Sequence, residues 1–478
     1  MKIVVMKFGG TSVESPASIG RTAEIVEGRR ARGFAPIVVV SAMAKVTDQL
    51  LAAAAAAERG DRTGALAISS RLRNRHLDAV SALLCGEPIA AVQSWMEEQF
   101  HALDDLLRGL AAVQELTPRT MDLVASYGER LSSRMIGEFY AQCGVNGAYV
   151  DARTCIVTDA QHGKATPLEG QIEQQLRVTV LPLVQQGRIP VLGGFIGATE
   201  AGVTTTLGRG GSDYTGALVG RGVNAHAIEI WTDVNGIMTT DPRVCADALR
   251  VKTISFEEAA ELAYFGAKVL HPATILPAVQ KNIPVWVLNS KDPANHGTQI
   301  TAVAAHSRTP FKSIAIKRRL TIIDVVASRM LMTHGYLRAI FEVFDRHKCA
   351  VDMVSTSEVS VSLTVDSNER LPAIAADLSQ LADVKYEGQK ALVCLVGENI
   401  RGQNGIAAQV FSAIRHVNVR MISQGASEIN MSFMIEEEDV EEAVRALHKH
   451  FFRDPDPEIF DVAAREGLQD AVATAQES

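Results

Sequence analysis

The sequence has few cysteines, and they are not grouped. Six cysteines in 478 residues are separated by 58, 12, 90, 104 and 45 residues, which matches neither a metal-site spacing nor a disulfide-stabilised scaffold. There is also no long basic run, and no apolar run reaches membrane-spanning length. These absences exclude nucleic acid and membrane as expected partners. They predict an intracellular, cytoplasmic protein with reduced thiols and a small-molecule partner.

The overall composition is that of an ordinary globular protein. Hydrophobic residues make up 47% and charged residues 21% of the chain, and 47 basic against 55 acidic side chains give a net charge of −8. Disorder is therefore excluded as the dominant state. A length of 478 residues corresponds to about three domains, or to two with a duplicated part.

The first 300 residues alternate short aliphatic runs with helical stretches. Near-continuous aliphatic runs are typical of strands that are covered on both faces, so we expect a three-layer α/β/α domain with a mostly parallel sheet. A long span at about 44–142, rich in Ala, Leu, Arg and Glu, predicts several helices, as an insertion or a cap on the substrate side. The predicted strands are 3–6, 37–40, 189–192, 228–231 and 285–288.

The second part of the chain contains an internal duplication. Residues 290–312, with several Pro, Gly and Asn residues, predict a linker. Beyond it Phe341 and Phe411, Gly335 and Gly405 are each 70 positions apart, and the order of apolar and turn segments repeats, which predicts two copies of a small α+β module. The predicted domains are 1–297, 313–386 and 387–460.

A glycine motif follows the first predicted strand. The segment 7–12, Lys-Phe-Gly-Gly-Thr-Ser, precedes a helix that Ser15 could cap. Two glycines let the backbone approach an anion, the helix start offers unpaired N–H groups, and Lys7 supplies a full positive charge. Alone, a Gly-Gly turn is as often purely structural, and the segment is not a Walker loop.

A second glycine loop strengthens that interpretation. Residues 204–213 carry three threonines, three glycines, Arg209 and Asp213 ahead of another helix. A flexible connector with Ser212 or Asp213 as N-cap would not require the arginine or the three hydroxyls. Two such loops in one sheet predict two anionic ligands. A third group, at 231–243 and 265–272, comes after the second glycine loop and contains a strand end, a tight turn and a lysine. This is the region in which open α/β sheets bind ligands.

Taken together, these motifs resemble the aspartate kinases of the amino-acid kinase family, which carry regulatory ACT domains. The resemblance extends to about residue 452 and includes Ser41 with Thr47 and the pair Gly128-Glu129. It implies a ferredoxin-like fold for the repeated modules. It also implies transfer of the ATP γ-phosphoryl group to the β-carboxylate of L-aspartate. A carboxylate is already ionised at neutral pH, so catalysis would rest on alignment and charge neutralisation.

The resemblance also implies roles for individual residues. Lys7 and Asp213 would be catalytic. Arg209 would bind the α-carboxylate of aspartate and Glu129 its α-ammonium, with Ser41 and Thr47 beside the β-carboxylate. Mg²⁺ would be carried with ATP, since no metal-ligand spacing is visible. The nucleotide would be bound by Lys7, Gly9, Gly10, Thr232, Asp233, Arg243 and Lys268.

The first repeated module predicts an amino-acid effector site. Such an effector needs an acid for its ammonium and free backbone amides for its carboxylate, and Asp352, Thr356 and Glu358 lie around one strand end. The resemblance implies feedback inhibition by L-lysine, with L-threonine as the competing effector, and a homodimer through the ACT modules that could pair further into a tetramer. The predicted effector residues are Met330, Thr333, Gly335, Tyr336, Leu337, Asp352, Thr356, Ser357, Glu358 and Val359.

One alternative belongs to a different class of function. A non-catalytic amino-acid sensor could keep the kinase fold as a scaffold. Such a protein would be expected to lose Lys7, Arg209 or Asp213, and all three are present.

Overall fold

The computed structural model describes residues 1–266, 272–326, 334–366 and 369–462. The chain divides into two compact units. The first unit comprises Met1–Ile237 and Val269–Ala304, and the second comprises Met238–Lys268 and Ala305–Ser478.

The first unit is built on a mostly parallel sheet with helices. Its strands, numbered along the chain, are β1 (Lys2–Phe8), β2 (Phe34–Val40), β3 (Gly147–Val150), β4 (Ile189–Gly193), β5 (Ile196–Ala198), β6 (Thr204–Thr206), β7 (Ala227–Thr232), β9 (Val285–Asn289) and β10 (Thr298–Thr301). Its helices are α1 (Pro16–Ala31), α2 (Val46–Glu58), α3 (Arg62–Leu83), α4 (Glu87–Val113), α5 (Pro118–Gln142), α6 (Glu169–Thr179), α7 (Leu181–Gln185), α8 (Gly211–Gly222) and α10 (Pro272–Gln280).

The strand order places the glycine motifs at one edge. Within the first unit the main sheet runs β3-β4-β2-β1-β7-β9-β10, with every neighbouring pair parallel except β9 and β10. Because parallel strands end at the same side of a sheet, the segments after β1, β2 and β4 meet there. The predicted fold class and the five predicted strands are confirmed. The predicted linker is wrong in part, because β10 lies within it and pairs with β9.

The hydrophobic pattern explains why these segments fold as they do. The interior residues of β1 and β2 are buried on both faces of the sheet. The predicted helical span forms α2 to α5, whose apolar faces join the core of the sheet. Ser15 caps α1 as predicted, since its side chain accepts a hydrogen bond from the backbone N–H of Ser18. None of the helices in the described ranges has the length and apolar character needed to cross a membrane.

The second unit contains the duplicated part. Its strands are β8 (Thr253–Ser255), β11 (Phe311–Val326), β12 (Val351–Thr356), β13 (Ser360–Asp366), β14 (Asp383–Gly397), β15 (Met421–Gln424) and β16 (Asn430–Glu436). Its helices are α9 (Phe256–Tyr264), α11 (Tyr336–Arg346), α12 (Leu371–Leu378), α13 (Ile406–Ala413) and α14 (Val440–Phe451). The antiparallel sheet runs β12-β13-β11-β14-β16-β15.

The duplication is visible in the elements themselves. The starts of α11 and α13, of β12 and β15, and of β13 and β16 are each 70 residues apart (406 − 336, 421 − 351 and 430 − 360). Both helices begin directly after a glycine with a left-handed backbone, Gly335 and Gly405. The 70-residue repeat read from the sequence therefore corresponds to a structural repeat.

The long strands β11 and β14 join the two copies in one sheet. The C-terminal half of β11 pairs with β13, whereas its N-terminal part, Phe311–Lys317, pairs only with the second half of β14. The second module thus includes a strand that precedes the first module in sequence, so contiguous boundaries at 313–386 and 387–460 do not describe the sheet. Residues 238–266 group with the second unit by their contacts, and the predicted end of the first domain at residue 297 stays a prediction.

Candidate active site

A cavity of about 590 Å³ lies in the first unit, at the edge where the parallel strands end. It is formed by the segments after β1 and β2, by one face of α5, and by the loop that leads from β6 into α8. The cavity brings together many of the residues predicted from sequence. These are Lys7, Gly10, Ser41, Thr47, Glu129, Arg209 and Asp213.

Lys7 is a fixed cation in this cavity. It lies near the end of β1, is largely buried, and its Nζ is 2.6 Å from Oδ1 of Asp213 in the first turn of α8. Helix α8 packs on the strand at this point, since a Cβ on Gly216 would lie in van der Waals contact with the Cβ of Lys7, at 3.4 Å. The ammonium is therefore held in place by an anion next to a helix N-terminus, which favours anionic ligands.

Glu129 is a buried carboxylate with one unused oxygen. The backbone N–H of Ala42 donates to its Oε1 at 3.2 Å, while Oε2 is buried and has no hydrogen-bond partner among the described residues. Gly128 permits this close packing, since a Cβ there would lie 2.8 Å from the Cβ of Ala42. Burial raises the pKa of Glu129 to about 8, against the lowering effects of the Ala42 hydrogen bond and the charge of Lys7. An incoming ammonium would supply the missing partner.

Arg209 is the opposite kind of group, an exposed cation on a loop. It lies between Gly208 and Gly210, whose φ angles of 76° and 72° are left-handed, and it has no ion-pair partner in the described ranges. Gly210 is the N-cap of α8 and no side chain caps this helix, so neither Ser212 nor Asp213 is the N-cap. The helix start and a guanidinium thus both face an anion site.

Ser41 and Thr47 border the same cavity from the segment after β2. The backbone of Ser41 is held from both sides, since its N–H donates to the carbonyl of Phe8 and its carbonyl accepts from the hydroxyl of Ser132. Thr47 lies in the first turn of α2. Both positions are compatible with the predicted contact to a carboxylate.

The predicted nucleotide residues are distributed differently. Gly9 donates its N–H to the carbonyl of Trp231 at 3.0 Å, and Thr232 ends β7, with its hydroxyl 3.3 Å from the carboxylate of Asp233. Arg243 belongs to the second unit, is exposed, and pairs with Asp241 at 2.6 Å. Lys268 lies outside the described residues. Their roles in nucleotide binding stay predictions.

Phe195 and Asp122 are among the cavity residues that were not predicted from the sequence. Phe195 has a φ of 65°, a strained value for a non-glycine residue, and contacts the start of α8 at Gly211. Asp122 lies seven residues before Glu129 on α5, on the same helix face. That spacing is a signal the sequence carries. Further cavity residues are Lys45, Asp48, Gly163, Thr206 and Ser212.

In the second unit, the predicted effector residue Asp352 is already engaged. Its Oδ2 lies 2.7 Å from the Nζ of Lys317, its Oδ1 lies 3.5 Å from the hydroxyl of Tyr264, and its side chain is 5% exposed. Burial raises the pKa of Asp352, although Lys317 acts in the other direction. The carboxylate predicted to bind an effector ammonium thus binds an internal one.

The other described residues of the predicted effector set belong to two segments of the first module, one at the start of α11 and one at the end of β12. Gly335 and Tyr336 begin α11, and Leu337 is exposed. An exposed segment follows the middle of β12; it comprises Thr356, Ser357, Glu358 and Val359. Met330 and Thr333 lie outside the described residues. The effector role of this set stays a prediction.

Comparisons with known proteins agree with this geometry. The model of the amino acid kinase family matches residues 2–289 and that of an ACT domain matches residues 393–451. Lysine-sensitive aspartokinase 3 of Escherichia coli is 37% identical over 461 residues, covering 94% of this chain and 99% of that protein. Chloroplastic aspartokinase 1 of Arabidopsis thaliana is 35% identical over 487 residues, covering 99% and 84%.

Solved structures give the same result. The chain resembles E. coli aspartokinase III in complex with aspartate and ADP (TM-score 0.80, 36% identity, 94% of this chain and 100% of the other). It resembles the same enzyme in complex with lysine and aspartate (TM-score 0.82, 37% identity, 95% and 100%). The chain belongs to the amino acid kinase family. Within that family the relatives named here are aspartokinases, so the resemblance drawn from the motifs is confirmed.

Proposed function

We propose that this chain is an ATP-dependent aspartate kinase, which transfers the γ-phosphoryl group of ATP to the β-carboxylate of L-aspartate under feedback inhibition by L-lysine. The observation that carries the proposal is the cavity of the first unit. It combines the buried, half-unpaired carboxylate of Glu129 with the exposed guanidinium of Arg209 and the fixed ammonium of Lys7. That set is complementary to a zwitterionic amino acid that carries a second carboxylate.

The substrate amino acid is oriented by its two α-substituents. Glu129 accepts the α-ammonium through Oε2, and Arg209 binds the α-carboxylate with two parallel hydrogen bonds. These contacts leave the side-chain carboxylate beside Ser41 and Thr47. An orientation fixed at two points keeps the nucleophilic oxygen in line with the phosphoryl group.

The chemistry needs neutralisation of charge and no general base. The attacking β-carboxylate is ionised at neutral pH, so the barrier comes from bringing it up to the triphosphate. Lys7, held by Asp213 at 2.6 Å, stabilises the charge that develops on the transferring group. Gly9 and Gly10 let the backbone approach that group closely.

Mg²⁺ enters as part of the Mg·ATP substrate. Its coordination would come mainly from the phosphate oxygens of the nucleotide, as is usual for Mg²⁺ bound together with a nucleotide. Thr232, Asp233, Arg243 and Lys268 bind the nucleotide.

L-lysine acts at the first repeated module. Asp352 binds the ammonium of Lys317, which supports a site selective for cationic groups. Lysine-sensitive aspartokinase 3 of E. coli is 37% identical to this chain, which covers 99% of that protein. L-threonine, which carries no side-chain charge, is the alternative that inhibition measurements distinguish.

The protein works as a cytoplasmic homodimer joined through its ACT modules, and dimers can pair into a tetramer. Support comes from the sheet of the second unit, which ends at β12 and β15. Val354 on β12 and Ile422 on β15 expose apolar side chains, and a second copy packed on them would remove this surface from water.

Trapping of the acyl phosphate tests the proposal. The chain is incubated with ATP, Mg²⁺ and hydroxylamine, together with aspartate or glutamate, and the hydroxamate is quantified while lysine or threonine is added. We expect aspartyl hydroxamate, little product from glutamate, and inhibition by lysine. Absence of aspartyl hydroxamate would contradict the kinase assignment, and inhibition by threonine alone would contradict the lysine assignment.

A further inference from the structure

Asp122 is the most heavily hydrogen-bonded carboxylate at the wall of the cavity, and the reaction described above assigns it nothing. Its side chain is 2% exposed. Oδ1 accepts from the hydroxyl of Thr206 at 2.5 Å and from the backbone N–H of Gly163 at 3.0 Å, and Oδ2 lies 2.7 Å from Nδ1 of His162. With its oxygens engaged in this way, Asp122 is suited to hold protein groups and not to bind substrate.

The groups that Asp122 holds flank the loop that carries Arg209. Thr206 is the last residue of β6, three positions before Arg209. Its carbonyl also accepts from the N–H of Ala165. Gly163 and Lys164 lie against Gly208, where an added Cβ would be 3.3 Å from the Gly163 carbonyl. Asp122 therefore connects two segments to α5, the residue at the start of the Arg209 loop and the segment that packs against Gly208.

Two backbone hydrogen bonds hold the two sides of the loop, from the N–H of Leu207 to the carbonyl of Phe195 and from the N–H of Gly211 to the carbonyl of Gly208, and neither involves Arg209. Gly208 and Gly210 adopt left-handed conformations, and glycine is the most flexible residue of the backbone. Arg209 is exposed. The direction of its guanidinium thus depends on the anchors at the two ends of the loop, of which the helix α8 is one and Thr206 the other.

We propose that Asp122 is a positioning residue for aspartate binding, which acts through Thr206 to place Arg209 opposite Glu129. Glu129 lies two helical turns further along the same helix α5. One rigid helix therefore sets the spacing between Glu129, which accepts the α-ammonium, and Arg209, which donates to the α-carboxylate. This positioning role explains why threonines occupy neighbouring positions in the run of three. Thr206 bonds Asp122, whereas the hydroxyl of Thr205 pairs with Thr158 at 2.7 Å. The inference rests on the proposed function.

The test compares Thr206→Val with Thr205→Val in the full-length chain. Both remove one buried hydroxyl from adjacent positions of β6, but only the first breaks the bond to Asp122. We expect Thr206→Val to raise the KM for aspartate roughly 10- to 100-fold, the range expected for a hydrogen bond to a charged group. The kcat and the KM for ATP should change less than about threefold, and Thr205→Val should leave all three unchanged within that factor.

A second pair of variants tests the carboxylate. Asp122→Ala is compared with Asp159→Ala, because Asp159 also accepts two backbone N–H groups of the 159–166 loop, from Gln161 and Thr166, whereas the hydroxyl of Thr206 donates to Asp122. Only Asp122→Ala should raise the KM for aspartate. In an Arg209→Ala background Thr206→Val should have no further effect, since the residue it positions is gone.

The possible results distinguish failure of the proposed function from failure of the positioning role of Asp122. If the wild-type chain forms no aspartyl hydroxamate, the proposed function fails. If it does, and Thr206→Val keeps the wild-type KM for aspartate, or Thr205→Val raises it equally, the positioning role of Asp122 is overturned. Should Asp122→Ala fail to fold, as judged by circular dichroism, the threonine pair decides.

Discussion

The two units each contain a buried carboxylate predicted to bind an ammonium, and the structure presents them in different states. Glu129 in the first unit keeps one oxygen without a hydrogen-bond partner in the part of the chain that the structure describes, and burial raises its pKa to about 8. Asp352 in the second unit binds the ammonium of Lys317 at 2.7 Å. A lysine is near in both cases, but Lys7 pairs with Asp213 and so leaves Glu129 available.

This difference between an available and a paired carboxylate predicts how each site would respond to its ligand. An amino acid that reaches Glu129 meets a carboxyl group that is mostly protonated at neutral pH, so binding must release a proton. An amino acid that reaches Asp352 must displace Lys317. We therefore expect aspartate binding at the first site to depend on pH, and effector binding at the second to depend on competition with Lys317.

The largest effect is expected from Lys7→Ala, which removes the fixed cation from the first unit. The kcat should fall about 100- to 1,000-fold, the loss typical of one removed transition-state donor. The affinity for lysine should not change. Lys2→Ala, on the exposed start of the same strand, is the control for steady-state kinetics. Full turnover by Lys7→Ala would contradict the catalytic role.

A smaller effect is expected from Glu129→Gln, which tests the open carboxylate. The ammonium acceptor must be ionised, so kcat/KM for aspartate in the wild type should rise about tenfold per pH unit and level off near pH 8. The variant should show a kcat/KM lowered roughly 10- to 100-fold and no dependence on this group. A rising limb that persists in the variant would assign it to a different residue.

The occupied carboxylate is tested by Asp352→Asn. We expect the lysine concentration for half-inhibition to rise at least about tenfold, because a charged partner is lost, with kcat unchanged in the absence of lysine. Asp366→Asn is the matched control, since Asp366 also contacts Lys317, at 3.1 Å, but its side chain is 67% exposed. Equal loss of inhibition in both variants would rule out a specific role for Asp352.

The smallest effect is expected from Lys317→Met, which removes the internal competitor of the effector. The half-inhibitory lysine concentration should fall a few-fold, while that of Asp352→Asn rises. A rise with Lys317→Met would mean that Lys317 supports the effector site and does not compete for it.

Much of this was predictable because local patterns set it. The aliphatic runs gave the strands of the parallel sheet, and the 70-residue repeat gave the paired modules. Strand order at the sheet edge then brought Lys7, Glu129 and Arg209 to one cavity. Long-range contacts could not be predicted. The ion pair of Lys317 with Asp352 joins β11 to β12. Strand β11 is shared by both modules, which a contiguous repeat would not predict.

Asp122 shows the limit at the level of one residue. Its spacing to Glu129 could be read from the sequence, but its role depends on Thr206, which is 84 positions away. Propensity and periodicity carry no information about such a contact.

The most direct measurement is a calorimetric titration of aspartate into the full-length chain at pH 7, in two buffers with different heats of ionisation. Because burial raises the pKa of Glu129 to about 8 and the group must ionise to bind an ammonium, we expect release of close to one proton per aspartate bound by the wild type. Glu129→Gln should release none. Tight binding of aspartate without proton release, equal in both proteins, would contradict Glu129 as the ammonium acceptor and this cavity as the aspartate site.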